Sequence, residues 1–311
     1  MRSMTAKPRA WVRAARLTMR QQRMQPANLA EWAAVFRQKL RHPGRLIEHV
    51  RALVEAENWA ELDRLVDDVD PYYFEGLRPI YLHDLDRLER RILIEICYLL
   101  AQTGESIAQL SRSVRYVVEA EIPGDFVECG VYKGASIVCI IRTLQALAVS
   151  DRRIWLYDTF EGMPKPGAVD VHYAQTAEED GGMKSWERHK FTDGRGSDWC
   201  YCPIDEVRRT VLRTGYPEHN LRFVKGLVES TIPGEVPERI AMLRLDTDFY
   251  SSTKHELIHL YPRLSRGGVL IVDDYGAYQG SRLATDEYFR DNNMKLLLSR
   301  VDENVRLYVK Q

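Results

Sequence analysis

No apolar run in the sequence approaches the ~20 residues that a membrane-spanning helix needs, so the chain is expected to have no membrane span. Cysteine is scarce. Cys97, Cys129 and Cys139 sit in apolar runs and read as small core residues, while Cys200-Tyr201-Cys202 lacks the C-x-x-C spacing of a zinc knuckle or redox pair. Reduced, structural thiols in a cytoplasmic protein are therefore expected. Neither sign of charge is in excess: the formal net charge is -1, which gives no nucleic-acid or polyanion signal. Internal repeats and low-complexity tracts are absent. So are a G-x-G-x-x-G turn and a Lys-Ser/Thr phosphate cradle, which disfavours NAD and ATP as ligands. The 311 residues are enough for one large α/β domain, or for a domain with a substantial extension.

Acid is missing locally as well. Glu31 and Glu48 are the only carboxylates among the first fifty residues, against Arg2, Lys7, Arg9, Arg13, Arg16 and further basic residues up to Arg45. A transit peptide can look like this, but no cleavage signal or serine-rich composition accompanies it. A helical arm that packs on the domain or on a second subunit is expected, with a disordered basic tail as the alternative. Between residues 28 and 70 apolar residues recur at helical spacing, and helices are predicted again over 82–102 and 107–120. An aromatic-rich loop at 70–76 separates them. Residues 1–104 are thus read as a helical extension that serves as an arm, a lid or an oligomerisation element, in a homodimer or larger homo-oligomer.

From residue 105 to 311 strands and helices alternate. This argues for an α/β fold of Rossmann-like type, a mainly parallel sheet with helices on both faces. Strands are predicted at 126–129, 154–157, 221–224, 240–245 and 269–272. Helices are predicted at 136–147, 204–215, 253–264 and 281–291. A last pair of apolar segments, 296–299 and 305–309, reads as an antiparallel hairpin on the sheet edge. Residues 164–201 are polar, rich in Gly and Pro and without periodicity, and so long an irregular stretch inside a domain reads as a substrate lid.

Acidic residues fall at the C-terminal ends of four of these strands: Glu128, Asp158, Asp246 with Asp248, and Asp273 with Asp274. In an open parallel sheet those ends line the ligand crevice. One such carboxylate is often only a helix cap; four together point to a site. The first strand breaks into Gly130-Val131-Tyr132-Lys133-Gly134 and enters a helix at Ser136, a turn that lets backbone approach a ligand. Asp158, one strand later, can accept both hydroxyls of a ribose. With no polyphosphate cradle, S-adenosylmethionine is the leading ligand. Asp246, Asp273 and Asp274 form a set of hard oxygen donors that suits Mg²⁺, and Asp248 can take a proton from an acceptor hydroxyl as general base. Tyr132 and Tyr250 either flank a sulfonium by cation–π contact or simply pack.

In their order, the segments Pro123-Gly124-Asp125-Phe126-Val127-Glu128-Cys129-Gly130-Val131-Tyr132-Lys133-Gly134, Asp158-Thr159-Phe160-Glu161-Gly162-Met163-Pro164, Phe223-Val224-Lys225-Gly226, Leu243-Arg244-Leu245-Asp246-Thr247-Asp248-Phe249-Tyr250 and Val272-Asp273-Asp274-Tyr275-Gly276 resemble the macrocin O-methyltransferase (TylF/MycF-type) family. The resemblance implies an S-adenosylmethionine- and Mg²⁺-dependent O-methyltransferase that acts on a sugar hydroxyl of a bacterial natural product. It also implies a metal site at Asp246, Asp273 and Asp274 and a base at Asp248. Glu128, Gly130, Tyr132, Gly134, Ser136, Asp158, Phe160 and Gly226 would line the cofactor site. Thr247 departs from the family, where glycine is common. A phenolic or catechol-like acceptor is the alternative substrate class.

Two remoter readings remain. One is a module that binds S-adenosylmethionine without catalysis. The other is a zinc hydrolase, because His255-Glu256-Leu257-Ile258-His259 matches H-E-x-x-H, which on a helix offers two imidazoles on one face and a glutamate base. No third ligand is identified for it. His172 and His189, within the lid, are alternative bases to Asp248.

Overall fold

A computed structural model describes residues 43–68, 84–173, 182–192 and 196–311. The first part of the helical stretch expected over 28–70, up to residue 42, the basic residues before it and the aromatic loop at 70–76 lie outside the described residues. Within them, no helix is long and apolar enough to cross a membrane. The chain divides into two units, Met1–His49 and Val50–Gln311. In the second, β1 (Asp125–Cys129), β2 (Ile154–Asp158), β3 (Leu221–Lys225), β4 (Ile240–Leu245), β5 (Leu264–Val272), β6 (Ser299–Arg300) and β7 (Arg306–Val309) pair into one sheet in the order β3-β2-β1-β4-β5-β7-β6. The first five run parallel, and β7 pairs antiparallel with β5 and β6. The predicted α/β architecture and the edge hairpin are both present. The strand order reverses between β1 and β4, so the crevice of the open sheet lies at their C-terminal ends.

Because side chains alternate along a strand, each strand feeds two cores. Phe126, Leu156, Met242, Val269 and Ile271 face one layer, with the helices Arg87–Ile96, Gly104–Glu119, Ala135–Ala146 and Ile204–Leu212 over them. Val127, Cys129, Tyr157, Leu243, Leu245, Leu270 and Val272 face the other, against Leu257, Tyr288 and Phe289 of the helices Tyr250–His259 and Gln279–Asp291. β4 is buried at every position, as a central parallel strand covered on both faces must be.

Local signals shift some boundaries. The helix predicted over 82–102 spans Arg87–Ile96. Asp86 caps it, its carboxylate accepting from the Glu89 amide at 2.8 Å while Glu89 returns a bond to the Asp86 amide at 3.0 Å; this reciprocal capping box sets the start. Within the stretch predicted as a lid, Met183–His189 forms a short helix. β5 begins at Leu264, five residues before the predicted start, because Gly267 and Gly268 are absorbed as a strand irregularity opposite a register shift in β4.

The helix Ala135–Ala146 is packed on nearly all sides, with Ile137, Val138, Ile140, Ile141 and Leu144 buried. Its position decides where the turn before it points. Replacing Ile140 by Ala is expected to cost about 2–5 kcal/mol of stability, read as a lowered urea midpoint at unchanged slope; an unshifted midpoint would contradict this packing.

Candidate active site

The strand register builds the floor of the site. Glu128 of β1 lies opposite Arg244 of β4, so both side chains emerge on one face of the sheet. Asp246 follows Arg244 by two residues, and Asp273 follows Ile271, the β5 partner of Arg244; period-two alternation puts all four on that face. Arg244 is 1% exposed. Its Nη1 donates to Glu128 Oε1 and, at 2.7 Å, to Asp246 Oδ2; its Nη2 donates to Asp273 Oδ1 at 2.5 Å. Ser136, from the start of the next helix, donates its hydroxyl to Glu128 Oε1 at 2.5 Å. Glu128 Oε2 is buried with no partner. Burial outweighs the attraction of Arg244 and pushes the Glu128 carboxyl up to about 7.

The glycine turn packs against this floor. Gly130 and Gly134 take left-handed backbone, both at φ 85°. A Cβ on Gly130 would lie 1.8 Å from the Asp246 carbonyl oxygen, so only glycine lets β1 and β4 diverge this closely. The turn's free amides are already used: Val131 and Tyr132 donate to Asp158 Oδ2 at 2.7 and 2.9 Å, and Phe160 donates to Asp158 Oδ1 at 2.6 Å. A carboxylate thus fills the anion nest that a phosphate fills elsewhere. Three of the roughly four acceptor directions of Asp158 are taken, which leaves room for one hydroxyl rather than the expected two. Gly226, at φ 138°, donates to the Asp158 carbonyl at 2.9 Å and closes the turn on the β3 side. Phe160 is buried beneath it.

At the rim, Asp246, Asp248 and Asp274 converge, with one carboxylate oxygen from each within 4.8 Å of the others. The set expected from sequence was Asp246, Asp273 and Asp274. Strand parity accounts for the difference: Asp273 stays on the Arg244 face and is held there, while Asp274 turns toward Asp248. Asp248 sits at φ 61° and donates its amide to Asp274 Oδ2 at 3.2 Å. Burial and the neighbouring Asp246 charge push Asp248 up to about 7, and burial with Asp248 and Asp246 pushes Asp274 well above the usual carboxylate range. Crowded carboxylates of this kind are relieved by protonation or by a cation. Three hard oxygens within one ion's reach fit Mg²⁺ as a donor set.

Other candidates fall elsewhere. The two H-E-x-x-H imidazoles lie side by side, ring centroids 4.4 Å apart, with His255 Nε2 2.9 Å from the Ile232 carbonyl. Glu256 is fully buried on another side of the helix and accepts from the Thr247 hydroxyl at 3.0 Å. The residue that departs from the resembled family, Thr247, thus occupies the glutamate of the zinc motif, whose carboxyl burial pushes well above the usual carboxylate range. His189 pairs with Asp198 at 2.6 Å, and His172 packs edge-on against Tyr278 with centroids 4.9 Å apart. Tyr250 donates its hydroxyl to Glu287 at 2.6 Å, which is the packing alternative; Tyr132 carries Lys133 over its ring at 5.0 Å.

Sequence reasoning missed three residues. Arg244 had a signal, a charge inside an otherwise apolar strand. Gln102, whose Nε2 lies 3.4 Å from Asp246 Oδ2, was read as the end of a helix that stops at Ile96, and Asp170, which is buried, sits in an irregular segment; neither had a signal.

Comparison with known proteins adds the following. The family model of macrocin-O-methyltransferase (TylF) matches residues 100–310. The 8-demethyl-8-(2,3-dimethoxy-alpha-L-rhamnosyl)-tetracenomycin-C 4'-O-methyltransferase of Streptomyces olivaceus is 37% identical over 179 residues, 58% of this chain and 63% of that protein. The mycinamicin III 3''-O-methyltransferase of Micromonospora griseorubida is 34% identical over 179 residues, 58% of this chain and 65% of that protein. The match thus spans slightly less than two thirds of these relatives. The solved structure of the O-methyltransferase NovP superposes with a TM-score of 0.56 at 28% identity, covering 68% of this chain and 83% of that one.

Removing the floor's cation should be severe. Arg244→Ala leaves three carboxylates without their partner and is expected to destabilise the fold by about 3–5 kcal/mol, measured as a fall in urea midpoint near neutral pH. An unchanged midpoint would mean that the network contributes nothing to stability.

Proposed function

The chain belongs to the macrocin-O-methyltransferase family, and on that premise we propose that it transfers a methyl group from S-adenosylmethionine to a sugar hydroxyl of a natural-product glycoside, with a divalent cation at the acidic rim. The relatives support the acceptor class, since the Streptomyces olivaceus enzyme is named for a rhamnosyl tetracenomycin. The observation that carries the reading is the convergence of Asp246, Asp248 and Asp274 at the strand ends, beside the glycine turn.

S-adenosylmethionine, when bound, would supply an activated methyl group on sulfur. The turn residues Gly130, Tyr132 and Gly134 shape its pocket, and Glu128 Oε2, a buried acceptor without a partner, fits an N–H donor from such a ligand. Asp158 holds the turn and offers its remaining acceptor direction to a hydroxyl. Magnesium, when bound, supplies Lewis acidity toward the acceptor oxygen. Asp246 and Asp274 are assigned as its ligands. Asp273, fixed by Arg244, backs them. Asp248 receives the acceptor's proton, and its carboxyl, held up near 7 by burial and like charge, is matched to that task at neutral pH. Trp199, packed against Phe249, the residue after Asp248, is assigned to the acceptor side.

The test is transfer of labelled methyl to a panel of rhamnosylated aromatic and macrolide glycosides, with catechol as the phenolic comparison. Label is expected in a glycoside with Mg²⁺ present, falling by about a hundredfold or more in EDTA or in Asp274→Ala. Undiminished transfer in EDTA would overturn the cation, and label in catechol alone would overturn the sugar acceptor.

A further inference from the structure

Two helices begin just after the acidic motifs, and neither is capped from its own sequence. Tyr250–His259 starts two residues after Asp248, and its N-cap residue Phe249 makes no side-chain capping bond. Gln279–Asp291 starts five residues after Asp274, and its N-cap residue Tyr278 makes none either. Helix starts leave N–H groups that need acceptors. Here the lid provides them. Asp170 Oδ1 accepts from the Tyr250 amide at 2.7 Å, across 80 residues of sequence, and the Val171 carbonyl accepts from the Gln279 amide at 2.9 Å.

The seat for Asp170 is built to fit. Its residue is 4% exposed, and its second oxygen accepts from the Gly167 amide at 2.7 Å. A Cβ on Gly280, in the first turn of the second helix, would lie 1.9 Å from Asp170 Oδ1. A Cβ on Gly182 would lie 2.2 Å from the Asp170 carbonyl. Just beyond, the Tyr173 amide donates to the Ala277 carbonyl at 2.8 Å. One lid segment therefore touches the starts of both helices, and each helix start is tied through a short loop to one half of the acidic rim.

We propose that Asp170 is a positioning residue, which caps the helix Tyr250–His259 from the lid and wedges against Gly280 so that Asp246 and Asp248 are held at a fixed distance from Asp274. This rests on the rim being the cation site of the proposed function. A buried carboxylate suits the role because helix N-termini stabilise negative charge and because it accepts two amide bonds at once. Asparagine can supply only one of the two acceptor oxygens, and alanine neither.

The experiment compares the full chain with Asp170→Ala, Asp170→Asn and Gly280→Ala. Amide exchange at Tyr250 is followed by mass spectrometry, and Mn²⁺ and S-adenosylhomocysteine are titrated by calorimetry. In Asp170→Ala, exchange at Tyr250 should accelerate about tenfold and Mn²⁺ affinity should fall about tenfold, the scale of a lost cap, with S-adenosylhomocysteine affinity held within about twofold. Asp170→Asn should be intermediate and keep a folded reference if the alanine variant does not fold. Gly280→Ala should reproduce the loss by displacing the carboxylate. Unchanged exchange at Tyr250 overturns the cap. Faster exchange with unchanged Mn²⁺ affinity, or an equal loss of both ligands, overturns the positioning role. A wild-type chain that binds no Mn²⁺ overturns the cation reading itself, and exchange at Tyr250 then still decides the cap.

Discussion

A guanidinium sealed under the strand ends, Arg244, is the constraint on which the site depends. Taking a charge out of water costs several kcal/mol unless it is paired and fully bonded, and Arg244 is bonded to Glu128, Asp246 and Asp273. The arrangement works in both directions. Arg244 allows carboxylates from β1, β4 and β5 to approach one another, and they in turn make its burial tolerable. Because Glu128 and Arg244 are register partners, the network also favours one alignment of the central strands. A slip of β4 by one residue would turn Arg244 and Asp246 to the opposite core, away from Glu128 and Asp273.

Above this floor the chain divides its carboxylates by task. Glu128 and Asp273 face inward to Arg244. Asp158 faces the glycine turn and fills its anion nest. Asp246, Asp248 and Asp274 are left to crowd at the rim, where burial and mutual repulsion raise Asp248 and Asp274. That crowding is what supports the proposed cation at the rim. The turn, with its nest already filled, suits a nucleoside ligand better than a polyphosphate.

Much of this was legible in the sequence. Alternation of strands and helices gave the α/β sheet with its edge hairpin, and the strand-end position of each acid marked the crevice, because burial and period-two geometry leave direct traces in residue pattern. What was not legible depends on contacts between distant segments. Nothing near Asp273 says that it turns to Arg244 while Asp274 turns to Asp248; that follows from register and parity. Asp170 lies in a stretch without periodicity, and its partner is a helix start 80 residues on. H-E-x-x-H misleads for the same reason, since the motif cannot reveal that Glu256 lies buried beneath Thr247.

The central claim is that the rim carboxylates hold one divalent cation above the Arg244 floor. An anomalous difference map from crystals grown with Mn²⁺ and S-adenosylhomocysteine tests it most directly. A single peak within coordination distance of Asp246 and Asp274 is expected. No peak at the rim, or one between His255 and His259, would contradict the account.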